Sequence, residues 1–196
     1  MLCLDPCCRE QTVATEPLLH FPMHDQSLPA PWFTRHASLV AAGARLLDVA
    51  CGTGRHARFF AGQGALVTAV DCDMAAMHLL TSVAGVATEC RDLEKEPWPY
   101  EADSFDAVIV CNYLWRPTLP DLLATIRSNG VLLYETFMDG NEQYGKPSNP
   151  NFLLRPNELF TTVALDFQVI AFEQRLERTP SGSPFAVKQK IAAIKL

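Results

Sequence analysis

No run of about 18 consecutive apolar residues occurs in the chain, so no membrane-spanning helix is expected from it. The first residues, Met1–Leu2–Cys3–Leu4–Asp5–Pro6, lack a basic segment leading into an apolar one; no secretory signal is expected, and the protein is read as cytoplasmic. Positive charge is scarce. Sixteen Lys and Arg stand against 22 Asp and Glu, giving a formal charge of −6 and a pI near 5.3. That balance disfavours a phosphate-neutralising surface, and nucleic acid is not the favoured partner. Paired C-x-x-C spacing is absent as well. Seven cysteines, an odd number in a large apolar chain, fit reduced thiols better than a disulfide framework. Cys3, Cys7 and Cys8, with His20 and His24 downstream, lack the spacing of a structural zinc site, so no metal is assigned and residues 1–30 are read as an irregular, proline-containing arm. Neither an internal repeat nor a low-complexity segment is found.

What is present is a large apolar share, 48% of 196 residues, enough for one core but with little room for a second substrate domain. Residues 31–196 are therefore read as a single domain. A first helix is expected over Trp32–Ala42, closed by Gly43. Strands are expected at Arg45–Ala50, Leu66–Val70, Val86–Arg91, Phe105–Cys111 and Gly130–Phe137. Helices are expected between them at about Gly54–Gly62, Met74–Ala84 and Leu119–Ser128. Phe105–Cys111 is nearly all apolar, as in a strand covered on both faces. This alternation implies an α/β fold with a parallel sheet and right-handed crossovers. After a short helix opened by Pro156, Phe167–Leu176 and Ala186–Leu196 flank a Thr179–Pro184 turn and read as an antiparallel β-hairpin.

In open parallel sheets the ligand lies beyond the carboxyl ends of the strands, where the strand order reverses. Those ends read Asp48–Gly54, Asp71–Asp73, Asp92–Leu93 and Cys111–Tyr113, which places carboxylates at three consecutive ends. Carboxylates accept from ribose hydroxyls, an ammonium or an exocyclic amine. Gly52 and Gly54 remove Cβ atoms from the first turn, so backbone can approach a ligand closely. Gly52–x–Gly54–x–x–Ala57 fits the relaxed dinucleotide fingerprint, with Asp71 about 20 residues on, where a ribose-binding acid belongs. A pyrophosphate, however, would be repelled by Asp48, and a dehydrogenase needs a substrate domain. A cationic, amino-acid-bearing nucleoside such as S-adenosylmethionine suits the acids better.

The segments Leu-Asp-Val-Ala-Cys-Gly-Thr-Gly, Val-Asp-Cys-Asp-Met-Ala-Ala-Met, Cys-Arg-Asp-Leu and Ser-Phe-Asp-Ala-Val-Ile-Val-Cys-Asn-Tyr together resemble the class I S-adenosylmethionine-dependent methyltransferases over about residues 45–137. The resemblance implies a Rossmann-like, seven-stranded, mostly parallel sheet with helices on both faces and a C-terminal antiparallel hairpin. It implies S-adenosylmethionine as cofactor and assigns roles to matching positions. Gly52 and Gly54 would shape the turn, with Ala50, Cys51 and Thr53 beside them, and Asp48 would orient the amino-acid end. Asp71 would take the ribose hydroxyls, with Cys72 and Met74 beside the adenine. Asp92 would accept from the adenine amine and Leu93 would pack the ring, while Cys111, Asn112 and Tyr113 would follow strand four around the departing methyl group. Asp48 and Asp92 have a turn or helix-cap reading beside these roles, and Met74 and Leu93 a core reading. Cys51, Cys72 and Cys111 are read as packing groups, and His56 as a residue of the helix surface.

Gly140–Lys146 satisfies G-x-x-x-x-G-K, but Pro147 replaces the required hydroxyl, so a nucleotide-triphosphate loop is rejected. The polar segment around 138–150 is instead read as a lid, with Glu135, Asn141 and Glu142 as substrate contacts, against a plain solvated connection. Methyl transfer from a sulfonium needs alignment more than a dedicated nucleophile; Asn112, Tyr113 and Glu135 are the candidates for catalysis, with Tyr113, Tyr134 or Glu135 for any deprotonation. The expected function is methyl transfer to a small-molecule acceptor. Methylation of RNA or protein, and a non-catalytic cofactor-binding partner protein, stand as alternatives; the oligomeric state stays open.

Overall fold

A computed structural model describes residues 28–196. Cys3, Cys7, Cys8, His20 and His24, to which no metal is assigned, lie outside the described residues. Seven strands form one sheet: β1 Arg45–Val49, β2 Leu66–Asp71, β3 Val86–Cys90, β4 Phe105–Cys111, β5 Ile126–Phe137, β6 Phe167–Arg178 and β7 Pro184–Lys195. Their order is β3-β2-β1-β4-β5-β7-β6. β1 to β5 pair in parallel, and β7 lies antiparallel between β5 and β6. β1 has β2 on one side and β4 on the other, so the strand order reverses at the carboxyl end of β1.

The helices are α1 Pro31–Arg35, α2 Arg55–Gly62, α3 Met74–His78, α4 Leu119–Thr125 and α5 Glu158–Val163. Two apolar layers flank the sheet. On one face Trp32 and Phe33 of α1, Ala57 and Phe60 of α2 and Met77 of α3 cover Leu46, Val67, Ile109 and Leu133. On the other, Leu122 of α4 and Leu159 and Val163 of α5 cover Leu47, Val70, Val108, Leu132 and Ile191. A central strand buried on both faces must be apolar throughout, which is why β4 reads Phe-Asp-Ala-Val-Ile-Val-Cys.

The helices are shorter than their propensities imply, for tertiary reasons. The first stops at Arg35, where Trp32 is fully packed and its indole N–H donates to the Ile191 carbonyl of β7 at 3.2 Å. α3 stops at His78 rather than Ala84, because Leu80 turns inward beneath the glycine turn; a Cβ on Gly54 would lie 2.4 Å from its methyls. α4 ends at Thr125 rather than Ser128. Ile126 is drawn into pairing with Phe105, and β5 starts four residues earlier than Gly130, with the irregularity absorbed at left-handed Asn129.

His56 departs from its expected surface position. It is buried, its Nε2 accepts the Ala30 N–H at 3.1 Å, and its ring packs on Phe33. Burial, with Arg55 beside it, lowers its pKa to about 3, so it stays neutral and ties the segment before α1 to α2.

Candidate functional site

β1 ends in a strained turn. Ala50 (φ 51°), Gly52 (φ 54°) and Gly54 (φ 76°) all lie in the left-handed region, where a Cβ is costly, and Ala50 accepts that cost. The turn is held from β2: the Cys51 N–H donates to the Val70 carbonyl at 3.0 Å, and the Gly52 N–H donates to Asp71 Oδ2 at 2.8 Å. Asp71 also accepts the Asp73 N–H, and Asp73 caps α3 through the N–H groups of Ala75 and Ala76. Above Gly52 there is open space, with no atom within 4 Å of where a Cβ would stand.

Asp48 lies beneath this turn, 1% exposed. The Ala57 N–H in the first turn of α2 donates to its carboxyl group, while Oδ2 has no hydrogen-bond partner among the described residues. Burial raises its pKa to about 8, against the opposing pull of the Ala57 N–H and the Arg55 guanidinium. Arg55 opens α2 and reaches only the Leu28 carbonyl at 3.4 Å and Cys111 Sγ at 3.3 Å, with no carboxylate within 4 Å among the described residues. A buried carboxyl group with one unpartnered oxygen and a guanidinium without an acid partner, among the described residues, thus face the same space.

That space is a cavity of about 850 Å³, within the range of small-molecule sites. Asp48, Ala50, Cys51, Gly52 and Thr53 form its floor, and Cys111, Asn112 and Glu135 its inner side. The opposite wall comes from the β6–β7 hairpin. Asn112, left-handed at φ 59°, accepts from Lys188 Nζ at 2.7 Å, and the same ammonium donates to Glu135 Oε1 at 2.6 Å. Lys190 lies 3.6 Å from Glu135 Oε2. Burial pushes the Glu135 carboxyl up, but the two ammoniums outweigh it and hold it below the usual carboxylate range. Glu135 is therefore a bound, ionised counter-charge and a weak base.

The remaining residues named from sequence are placed differently. Gly54, Asp71, Cys72, Met74, Asp92, Leu93 and Tyr113 do not line the cavity; Asp71 stands behind the turn, holding the Gly52 N–H. Met74 is exposed, and Leu93 packs in the core with Val49 and Val70. Asp92 accepts from Lys95 Nζ at 2.7 Å, which holds it below the usual range, and from the Glu94 N–H at 3.1 Å. The Tyr113 hydroxyl is buried without a hydrogen-bond partner among the described residues, and burial keeps it protonated. Tyr134 lies in the core, donates to the Tyr113 carbonyl at 2.8 Å and is likewise pushed up by burial, so deprotonation cannot be assigned to it. Burial raises Cys111 to about 11 and Cys51 further, consistent with packing thiols.

In the 138–150 segment the buried Asn141 is an anchor: its Oδ1 accepts the Val187 N–H and its Nδ2 donates to the Pro147 carbonyl. Glu142 closes its own turn by accepting the Gly140 N–H. Neither lines the cavity, whereas Lys146 does. Arg55, Lys188 and Lys190 were missed in the sequence reading. The signal for the lysines was two charged residues alternating within a predicted strand, between apolar Val187 and Ile191.

Comparison with known proteins bears on what such a cavity holds. The family described as "Methyltransferase domain" matches residues 46–129, which span β1 to the start of β5 and contain the whole turn. Over these residues the chain is similar to S-adenosylmethionine-dependent methyltransferases. Members of this family use S-adenosylmethionine as methyl donor. The chain is 35% identical over 153 residues to a ubiquinone biosynthesis O-methyltransferase of Xanthomonas axonopodis pv. citri, covering 75% of this chain and 56% of that one. It is 29% identical over 169 residues to the protein of the same name in Stutzerimonas stutzeri, covering 83% and 64%. The chain thus spans less than two thirds of the length of these relatives. Its fold is shared with TehB from Haemophilus influenzae, at a TM-score of 0.66 and 17% identity over 83% of this chain and 61% of that one. It is also shared with an S-adenosylmethionine dependent methyltransferase from Mesorhizobium loti, at 0.63 and 15% over 85% and 98%. No helix among the described residues is long and apolar enough to cross a membrane.

Proposed function

We propose that this protein transfers a methyl group from S-adenosylmethionine to the oxygen of a small-molecule acceptor. The observation that carries the reading is the buried Asp48 carboxylate with an unsatisfied oxygen, beneath a turn open above Gly52. A buried carboxyl group with an unpartnered oxygen is costly to ionise alone, and a cationic partner offsets that cost. Asp48 suits the ammonium of the amino-acid end and Arg55 its carboxylate. Asp71, whose oxygens each accept one backbone N–H, keeps lone pairs for ribose hydroxyls. The oxygen acceptor is supported by the O-methyltransferase names of the relatives.

When bound, the cofactor supplies an electrophilic methyl on sulfonium; the C–S bond breaks as the C–O bond forms, and the pair stays on sulfur. The chain aligns the reactants and shields them from water. Among the described residues of the cavity, Glu135 is ionised and clamped by two ammoniums, and the neutral His56 has its Nε2 committed to the Ala30 N–H. The Lys188 ammonium at Asn112 is placed to favour an acceptor that arrives as an oxyanion, its proton having gone to water.

Calorimetric titration is expected to show S-adenosylmethionine binding in preference to NAD; preference for NAD would contradict the reading. Gly52→Ala is expected to stay folded, since its Cβ meets only space and left-handed strain costs about 1–2 kcal/mol. The same Cβ enters the ligand's volume, so cofactor affinity is expected to drop at least tenfold. Urea unfolding and calorimetry separate the two effects, and unchanged affinity would remove the turn from the site.

A further inference from the structure

Six ion pairs run in an unbroken chain along the face of β5, β7 and β6: Arg35–Glu173–Arg175–Glu177–Lys190–Glu135–Lys188. It holds four cations and three acids, so it carries one positive charge in excess, with a cation at either end, Arg35 and Lys188. That ammonium is largely buried, with 10% of its side chain exposed, and it sits 4.7 Å over the Phe137 ring. Two of its three N–H groups go to Asn112 and Glu135, and the third has no acceptor among the described residues.

Two more cations stand on the same side of the cavity without an acid. Arg178 bonds only the Gly182 carbonyl at 2.8 Å, and Lys146 has no carboxylate within 4 Å among the described residues. On a chain of net charge −6, this wall is therefore positive. Concave walls of one sign focus the field onto whatever enters. The excess is separate from Arg55, which faces Asp48 at the floor.

We propose that the acceptor is an organic anion, a small molecule whose carboxylate or phosphate head group is met by Arg178 of the β6–β7 hairpin and by Lys146, while Lys188 faces the reacting oxygen. This rests on the methyltransferase reading and names the substrate class for it. A cationic acceptor would be repelled by the same wall, so the charge also selects against amines.

The test is a calorimetric panel of hydroxybenzoates and hydroxyphenyl phosphates, each paired with the neutral hydroxybenzamide and the cationic hydroxybenzylamine. It is run on the protein loaded with S-adenosylhomocysteine and again on the unloaded protein. Anions are expected to bind at least tenfold more tightly than their amides, and the amines most weakly; the tighter of carboxylate and phosphate identifies the head group. Arg178→Gln is expected to weaken the anions three- to tenfold and leave the amides and S-adenosylhomocysteine unchanged. No anion exceeding its amide, including a panel in which nothing binds, would overturn the inference. Failure of S-adenosylhomocysteine to bind is a different result, seen in the loading titration, and counts against the methyltransferase reading; the anion preference is then still read on the unloaded protein.

Discussion

Asp48→Asn is expected to lose about a hundredfold in S-adenosylmethionine affinity while making the unliganded protein more stable at alkaline pH. The loss follows from removing one member of a buried charge pair, worth about 2–5 kcal/mol in binding. The gain follows from linkage. Burial raises the folded pKa of Asp48 to about 8 from an ordinary value near 4, so the folded state binds more protons than the unfolded state between those limits. Its stability contribution is therefore fully present below about pH 4 and is lost as pH rises to about 8. Asparagine keeps the shape and has nothing to ionise. The variant is expected to exceed the native protein by several kcal/mol in urea unfolding above pH 8, and by little near pH 5. Equal stability at both pH values would show that Asp48 is not buried as described.

Lys188→Met is expected to destabilise the fold by about 3–5 kcal/mol, because it leaves Glu135 charged and buried with only the longer contact to Lys190. Glu135→Gln alone is expected to be costly for the mirrored reason, stranding Lys188. The double variant Glu135→Gln with Lys188→Met is expected to recover most of the loss, since desolvation of both charges is removed together. A double-mutant cycle in urea checks this. Purely additive effects would mean that the two groups do not form a coupled buried pair, and would weaken the assignment of Glu135 as a fixed counter-charge.

Much of the fold was legible because it is written locally. Apolar β4, the glycine turn and the acids ending β1, β2 and β3 need only a few neighbouring residues to be recognised. The Thr179–Pro184 turn gave the hairpin in the same way, though not that β7 would insert between β5 and β6. Helix ends were legible less well, since Leu80 under Gly54 and Ile126 against Phe105 are decided by distant partners. At the site, Asp48 and the turn are where the sequence put them. The acids beyond them divide: Asp71 ties the turn, while Asp92 turns to Lys95. The cationic wall was not legible at all. Lys188 meets Glu135 across 53 residues, and nothing in either segment alone names the other as its partner. His56 escaped for the same reason, its acceptor role depending on Ala30 26 residues away.

The most direct measurement is the number of protons exchanged when S-adenosylmethionine binds, read by calorimetry at pH 6.5 in two buffers of different ionisation enthalpy. At that pH Asp48 is protonated in the free protein and an α-amino group is charged. Pairing the two must expel the carboxyl proton, so release of about one proton is expected, with affinity rising about tenfold per pH unit between pH 6 and 7. Binding with no proton release and no pH dependence would contradict a cofactor site built on Asp48.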